Sequence, residues 1–318
     1  MSYSGRVMLV TLDAAIDDFL ATCALREMSA GTIRGYRYDL GRLRRFLARR
    51  GVDTVEGVAA ADLRAFLSSL AVAPSTRARY RASTRSLFHF LAADAVVPRD
   101  PSLAVPTVTR PHYLPRPLSP EQVGAVLAAV EDPTLRDLLT LVAETGLRIS
   151  EAIRLAVEDV RIGPTPEDSS IRVVGKGRRE RVVPLLVAAA SWQALGLAVA
   201  ERTTGPVFRR GPGGEAQPPP PPFTYGEVRA VWRRACARAG VGRLRIHQLR
   251  HTFASRLVAA QVPIVTVQKL LGHQSLDTTM RYAAVTDNLV RRDLAAARGR
   301  LRLGPAEDAG TRAAAPEP

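Results

Sequence analysis

"SIRVVGKGRRERVVPL", residues 170–185, carries the clearest sheet signal in this chain. Runs of β-branched residues flank a Gly-Lys-Gly centre, and apolar and charged residues alternate in "RERVV". That pattern predicts two antiparallel strands joined by a tight turn. "EDVRI", residues 158–162, adds a short strand signal just before it. On either side of this island the apolar residues recur at helical spacing. The fold is therefore expected to be mostly α, with an all-helical N-terminal domain and a C-terminal α+β domain holding a small antiparallel sheet.

Residues 1–97 read as four helices. Leu12, Ile16, Phe19 and Cys23 mark the first, and Ile33, Tyr36, Leu40, Leu43 and Leu47 the second. Leu63, Phe66, Leu67 and Leu70 mark the third, and Tyr80, Leu87, Phe88 and Leu91 the fourth. Residues 98–118 are too rich in proline to continue a helix or sit inside a sheet, which predicts an extended linker. It ends at a helix start, with Ser119 as N-cap, Pro120 in the first position and Gln122 completing a capping box. A domain of residues 119–302 follows, with helices near 120–130, 133–144 and 186–201 and a proline- and glycine-rich loop at 209–222. Residues 303–318 read as a disordered tail.

Composition narrows the function classes. No apolar run is long enough to span a bilayer. Asp13, Asp17 and Asp18 interrupt the first hydrophobic segment, against a secretory signal. Cys23 and Cys236 lie far apart and are read as buried thiols in a reducing compartment. The formal net charge is +15, and only Lys176 and Lys269 are lysines, so arginine carries it. A GC-rich genome favours arginine, and so does a polyanion partner, whose phosphates match the planar guanidinium fork. Position separates the two better than type does. Residues 223–302 hold fifteen basic and four acidic side chains, a surplus of +11. Arg34, Arg37, Arg44 and Arg45 on the second helix, with Arg77, Arg79, Arg81 and Arg85 on the fourth, form a further basic concentration suited to phosphates.

Six residues in the second domain carry chemistry together: Arg148, Lys176, His247, Arg250, His273 and Tyr282. Each has a plain structural reading. Arg148 has Glu151 one turn away as an ion partner, Lys176 sits in a turn, and Tyr282 suits a packed helix. His247 and His251 have the i, i+4 spacing of a metal site, but Gln248 replaces the glutamate of a zinc hydrolase helix and no carboxylate cluster completes it. Jointly they fit an in-line attack on a phosphodiester without a cofactor. Two arginines and a histidine meet the charge on the non-bridging oxygens. A tyrosine serves as nucleophile if a base or cationic pocket favours its phenolate. A lysine protonates the departing oxygen, which arginine cannot do.

The wording and order of "TGLRISEAIRL" (145–155), "GKGRRERVVPL" (175–185), "HQLRHTFAS" (247–255) and "LLGHQSLDTTMRYA" (270–283) resemble the tyrosine recombinase (phage integrase) family, and within it the Xer-type (XerC/XerD) recombinases. The N-terminal helices resemble that family's SAM-like core-DNA-binding domain. The resemblance implies that Tyr282 attacks the scissile phosphate and becomes joined to the DNA 3′ end. It assigns phosphate binding to Arg148 and Arg250 with His273, general base to His247, and general acid to Lys176. It also implies a clamp around double-stranded DNA at a specific core site. Four protomers, alike or paired with a related recombinase, would exchange strands through a Holliday junction in the bacterial cytoplasm, at the nucleoid. The sequence shows no added segment of the size of an arm-site-binding domain. A nicking-closing enzyme of type IB topoisomerase kind, an idle DNA-binding relative and a metal-dependent nuclease are the rival readings. Target site and cellular role, whether dimer resolution or mobile-element movement, are not encoded in these motifs.

Overall fold

The computed structural model describes residues 9–109, 116–175, 179–200, 202–210 and 221–272. They fall into two compact units, residues 1–113 and 114–318.

In the N-terminal unit the four expected helices are α1 (Leu12–Leu25), α2 (Ala30–Ala48), α3 (Ala60–Ser69) and α4 (Pro74–Ala93). Side-chain oxygens start two of them: Thr11 Oγ1 accepts from Ala14 N, and Ser29 Oγ accepts from Thr32 N. Each hydroxyl satisfies an amide that has no partner inside its helix. Leu40, Leu43, Leu47, Leu63, Leu87 and Phe88 are fully buried in the shared core, and Cys23 is buried with them. Phe19 meets Tyr36, and Phe66 meets Tyr80, edge to face. The stretch from residue 98, expected to be extended, instead begins with a 3-10 turn at Pro101–Ala104. Asp100 caps this turn through Ser102 N, Arg81 donates to Val105 O at 2.9 Å, and Val105 is buried in the helical core. A cap and one apolar anchor thus override the proline pattern.

The second unit opens as its capping signal predicts. α5 (Pro120–Ala128) has Ser119 and Gln122 in a reciprocal box. α6 (Pro133–Thr145) lies at the centre and packs against α5, α7 (Ile149–Ile153), α8 (Ala189–Val199) and α10 (His247–Ala259). The hairpin is β2 (Ser170–Val174) paired with β3 (Glu180–Pro184), and β1 (Val160–Arg161) completes a sheet of order β1-β2-β3, all antiparallel. "EDVRI" yields only those two strand residues, because Val157–Asp159 turns as a 3-10 helix. α9 (Tyr225–Arg238) seats Trp232 in the core, where its indole N–H reaches Leu244 O at 2.9 Å. α11 (Ile264–Leu271) packs on α10 around Phe253, Val267 and Leu271. Among the described residues no helix is long and apolar enough to cross a membrane. The expectations for residues 273–302 and the tail at 303–318 lie outside the described residues.

Gly146 ends α6 in the left-handed conformation, φ +66°, and a Cβ there would lie 2.4 Å from the Phe253 ring. Strain and overlap therefore act together. Gly146→Ala is expected to lower unfolding free energy by about 2–4 kcal/mol. Gly124→Ala, in helical space with nothing within 4 Å, should instead be neutral or raise it by up to about 1 kcal/mol. Urea or thermal unfolding of both variants checks the contrast.

Candidate active site

Three sequence-distant segments meet at the C-terminus of α11. The last carbonyls of a helix have no partner within it. Gly272, left-handed at φ +62°, turns its N–H back toward Gln268 and Lys269. The next three carbonyls each receive an arginine. Arg181 Nε donates to Leu270 O at 2.9 Å, Arg250 Nη2 to Leu271 O at 2.6 Å, and Arg148 Nη2 to Gly272 O at 3.3 Å. Cations at this end also complement the helix dipole.

Each guanidinium is placed differently. Arg250, on α10, is fully buried at 1% exposure and also donates to Gly146 O at 2.7 Å. Arg148 precedes α7 and keeps about a third of its side chain exposed, at 34%. Its N–H and Nη1 both reach Glu151, each at 2.8 Å. Arg181, on β3, is 12% exposed and grips the same carboxylate at 3.1 and 2.8 Å. Burial alone would raise the Glu151 pKa. The Arg181 hydrogen bonds and charge, the Arg148 N–H and the Arg148 guanidinium outweigh burial and bring it down to about 2.

His247 begins α10 with its ring 4.6 Å from that of His251, edge to face. The residue is exposed to solvent, yet its surroundings crowd the ring enough for burial to be the main cause of a pKa lowered to about 4. His251, Arg250 and Arg148 act in the same direction. The imidazole is therefore neutral at physiological pH and has a lone pair to accept a proton. Among the described residues no cluster of histidine, cysteine and carboxylate groups suits a metal ion.

The structure thus brings Arg148, His247 and Arg250 together. Lys176, His273 and Tyr282 lie outside the described residues. Sequence reasoning missed Arg181. In "RERVV" it stood as a charged position of a strand's exposed face, but it alternates with exposed Val182 and lies opposite buried Val173. The inward parity of Arg181 with Val183 was the available signal.

The eight arginines singled out in the N-terminal unit divide into two groups. Arg34, Arg37, Arg45 and Arg85 are exposed, and their side chains make no hydrogen bond or ion pair among the described residues. The other four have partners within the unit. Arg44 pairs with Asp13, Arg77 donates to Leu70 O, and Arg81 holds Val105 O. Arg79 lies 3.0 Å from the buried Asp39, whose second oxygen accepts from Ser83 Oγ at 2.8 Å. Those bonds fix where the helices present the remaining charge.

Residues 116–288 match the phage integrase family, and residues 16–94 match the phage integrase N-terminal SAM-like domain. The tyrosine recombinase XerD of Vibrio cholerae serotype O1 is 30% identical over 292 residues, 85% of this chain and 91% of that protein. The tyrosine recombinase XerC of Myxococcus xanthus is 34% identical over 275 residues, 81% of this chain and 88% of that protein. A lambda integrase tetramer bound to a Holliday junction shares the fold, with TM-score 0.66 and 18% identity over 86% of this chain and 80% of its own. The chain belongs to the phage integrase family of tyrosine recombinases.

A carboxylate with a depressed pKa contributes stability above its unfolded value of 4.5, and the contribution is lost as pH falls toward 2. A shift of this size corresponds to on the order of 3 kcal/mol. Glu151→Gln is expected to be less stable at neutral pH and to lose much of the dependence on pH between 4.5 and 2. Unfolding midpoints across that range measure it; parallel curves for the two proteins would contradict the assignment.

Proposed function

We propose that this protein is a site-specific DNA recombinase that cuts and rejoins strands through a covalent 3′-phosphotyrosine, without metal or ATP. One observation carries the reading: Arg148 and Arg250 converge on the end of α11, one residue before His273 and ten before Tyr282 in the chain. A scissile phosphate entering here meets the exposed part of Arg148, with the buried Arg250 guanidinium adding its charge, and this fixed charge needs no reorganisation as the transition state forms. His273 adds a third donor to the phosphate.

Tyr282 is the nucleophile. His247, neutral at working pH, takes the phenolic proton, and the arginines lower the cost of the phenolate. The phenolate oxygen bonds to phosphorus as the bond from phosphorus to the 5′-oxygen breaks, and Lys176 protonates that oxygen. The ester keeps the energy of the broken linkage, so the reverse attack by a 5′-hydroxyl from another strand reseals DNA.

The N-terminal unit holds the duplex with the exposed arginines of α2 and α4. Four protomers, alike or paired with a related recombinase, exchange strands through a Holliday junction at a specific core site. The place of action is the bacterial cytoplasm, at the nucleoid. The similarity to XerC and XerD proteins supports this reading over simple nicking and closing, since both unit types are matched.

Tyr282→Phe should still bind its site but form no covalent adduct on a nicked suicide duplex, as read by denaturing gel; an adduct in that variant would show that another group attacks. Lys176→Ala should cleave a phosphodiester about 10²–10⁴-fold more slowly. A bridging 5′-phosphorothiolate, whose sulfur leaves without protonation, should restore most of that rate. Equal impairment on both substrates would remove lysine from the general-acid role.

A further inference from the structure

Glu151 has all of its in-plane acceptor capacity engaged by two arginines. Oε1 accepts from Arg148 Nη1 and Arg181 Nη1, while Oε2 accepts from Arg148 N and Arg181 Nη2. Arg181 also spends its Nε on Leu270 O. One guanidinium therefore joins three segments: the strand that follows Lys176, the turn that presents Arg148, and the end of α11. The Gly272 backbone lies close against it, so that a Cβ there would be 3.2 Å from Arg181 Cδ and Nη1.

We propose that Arg181 is a positioning residue for strand cleavage, orienting Arg148 through Glu151 and keeping the Arg148 charge available to the scissile phosphate. The inference rests on the proposed role of Arg148 as a phosphate-binding group. Its electrostatic basis is the sharing of one carboxylate by two cations. With Arg181 present, Arg148 is only partly neutralised by Glu151, and its exposed third faces solvent. Without Arg181, the nearly buried carboxylate, 6% exposed, has Arg148 as its remaining close counter-ion among these contacts. The pair then tightens, and the guanidinium is drawn toward Glu151 at the expense of an incoming anion. Lysine cannot substitute fully, because a single ammonium does not span both carboxylate oxygens and Leu270 O as the planar fork does.

A purely structural residue would slow every substrate alike; a residue that acts through phosphate charge would not. The full-length chain is compared as wild type, Arg181→Ala and Arg181→Lys. The probe is a nicked duplex carrying the core site located beforehand by footprinting. Its scissile linkage is either a phosphodiester or a methylphosphonate, which lacks the negative charge that Arg148 would meet. Under saturating protein, Arg181→Ala is expected to cleave the phosphodiester about 10- to 100-fold more slowly, the scale seen when a partner that orients a working group is removed. DNA affinity should stay within about threefold, because Arg181 is largely covered. On the methylphosphonate the gap to wild type should shrink to about threefold or less. Arg181→Lys should lie between on the phosphodiester and follow the same pattern, and it carries the test alone if the alanine variant does not fold. Equal losses on both linkages, or no loss on either, would overturn the inference. A wild-type protein that forms no adduct on the phosphodiester would instead overturn the recombinase reading itself.

Discussion

The end of a helix is a row of carbonyl oxygens that must find donors, and the candidate site is built on how α11 solves that problem. Two of its carbonyls are met by Gly272 N–H, and the following three by Arg181, Arg250 and Arg148. The donors come from β3, α10 and the start of α7, so satisfying one helix end fixes three segments against each other. The chain leaves this point directly into His273 and, ten residues after Gly272, reaches Tyr282. Gly146 and Gly272 both end helices in the left-handed conformation; Gly146 O accepts from Arg250, and the Gly272 backbone lies close against Arg181.

Glu151 holds this cationic cluster together. Three guanidinium groups gathered at one place would repel one another, and a nearly buried carboxylate shared by two of them offsets part of that repulsion. Three guanidinium groups against one carboxylate leave a positive surplus, which suits the phosphate of the proposed reaction. His247 belongs to the same field: burial first, and then His251, Arg250 and Arg148, disfavour the imidazolium, which leaves the ring neutral, as the proposed role of base requires. In the N-terminal unit a buried carboxylate has a different use. Burial raises the Asp39 pKa against the opposing effects of Ser83, Arg79 and Arg42, and its contacts join α2 to α4, the two helices with most of the exposed arginine.

Much of the fold was legible because its signals are local. The apolar spacing of α1 to α4, the Ser119-Pro120-Gln122 start of α5 and the Gly-Lys-Gly hairpin each depend on neighbours within one or two turns. What escaped was decided by distant partners. Arg181 looked like an outward strand residue until Glu151 and Leu270 were seen to lie beside it. Asp39 carries no local signal of burial, because Ser83, which donates to its carboxylate in the core, lies forty-four residues away in sequence. The turn at Pro101–Ala104 escaped because proline composition is read locally, whereas Val105 is held by the core and by Arg81. Of the site, the residue types and their order were visible in four motifs. The common anchor on α11 was not, since no periodicity relates positions 148, 181 and 250.

In the proposed reaction the Tyr282 oxygen takes over a DNA strand. That step is tested most directly by trapping the protein on its nicked core site in excess EDTA, digesting the adduct and sequencing the modified peptide by mass spectrometry. The expected product is a peptide containing Tyr282 that carries a nucleotide through its 3′-phosphate. Attachment at another residue, linkage through a 5′-phosphate, or formation of the adduct only when a divalent metal is supplied would contradict it.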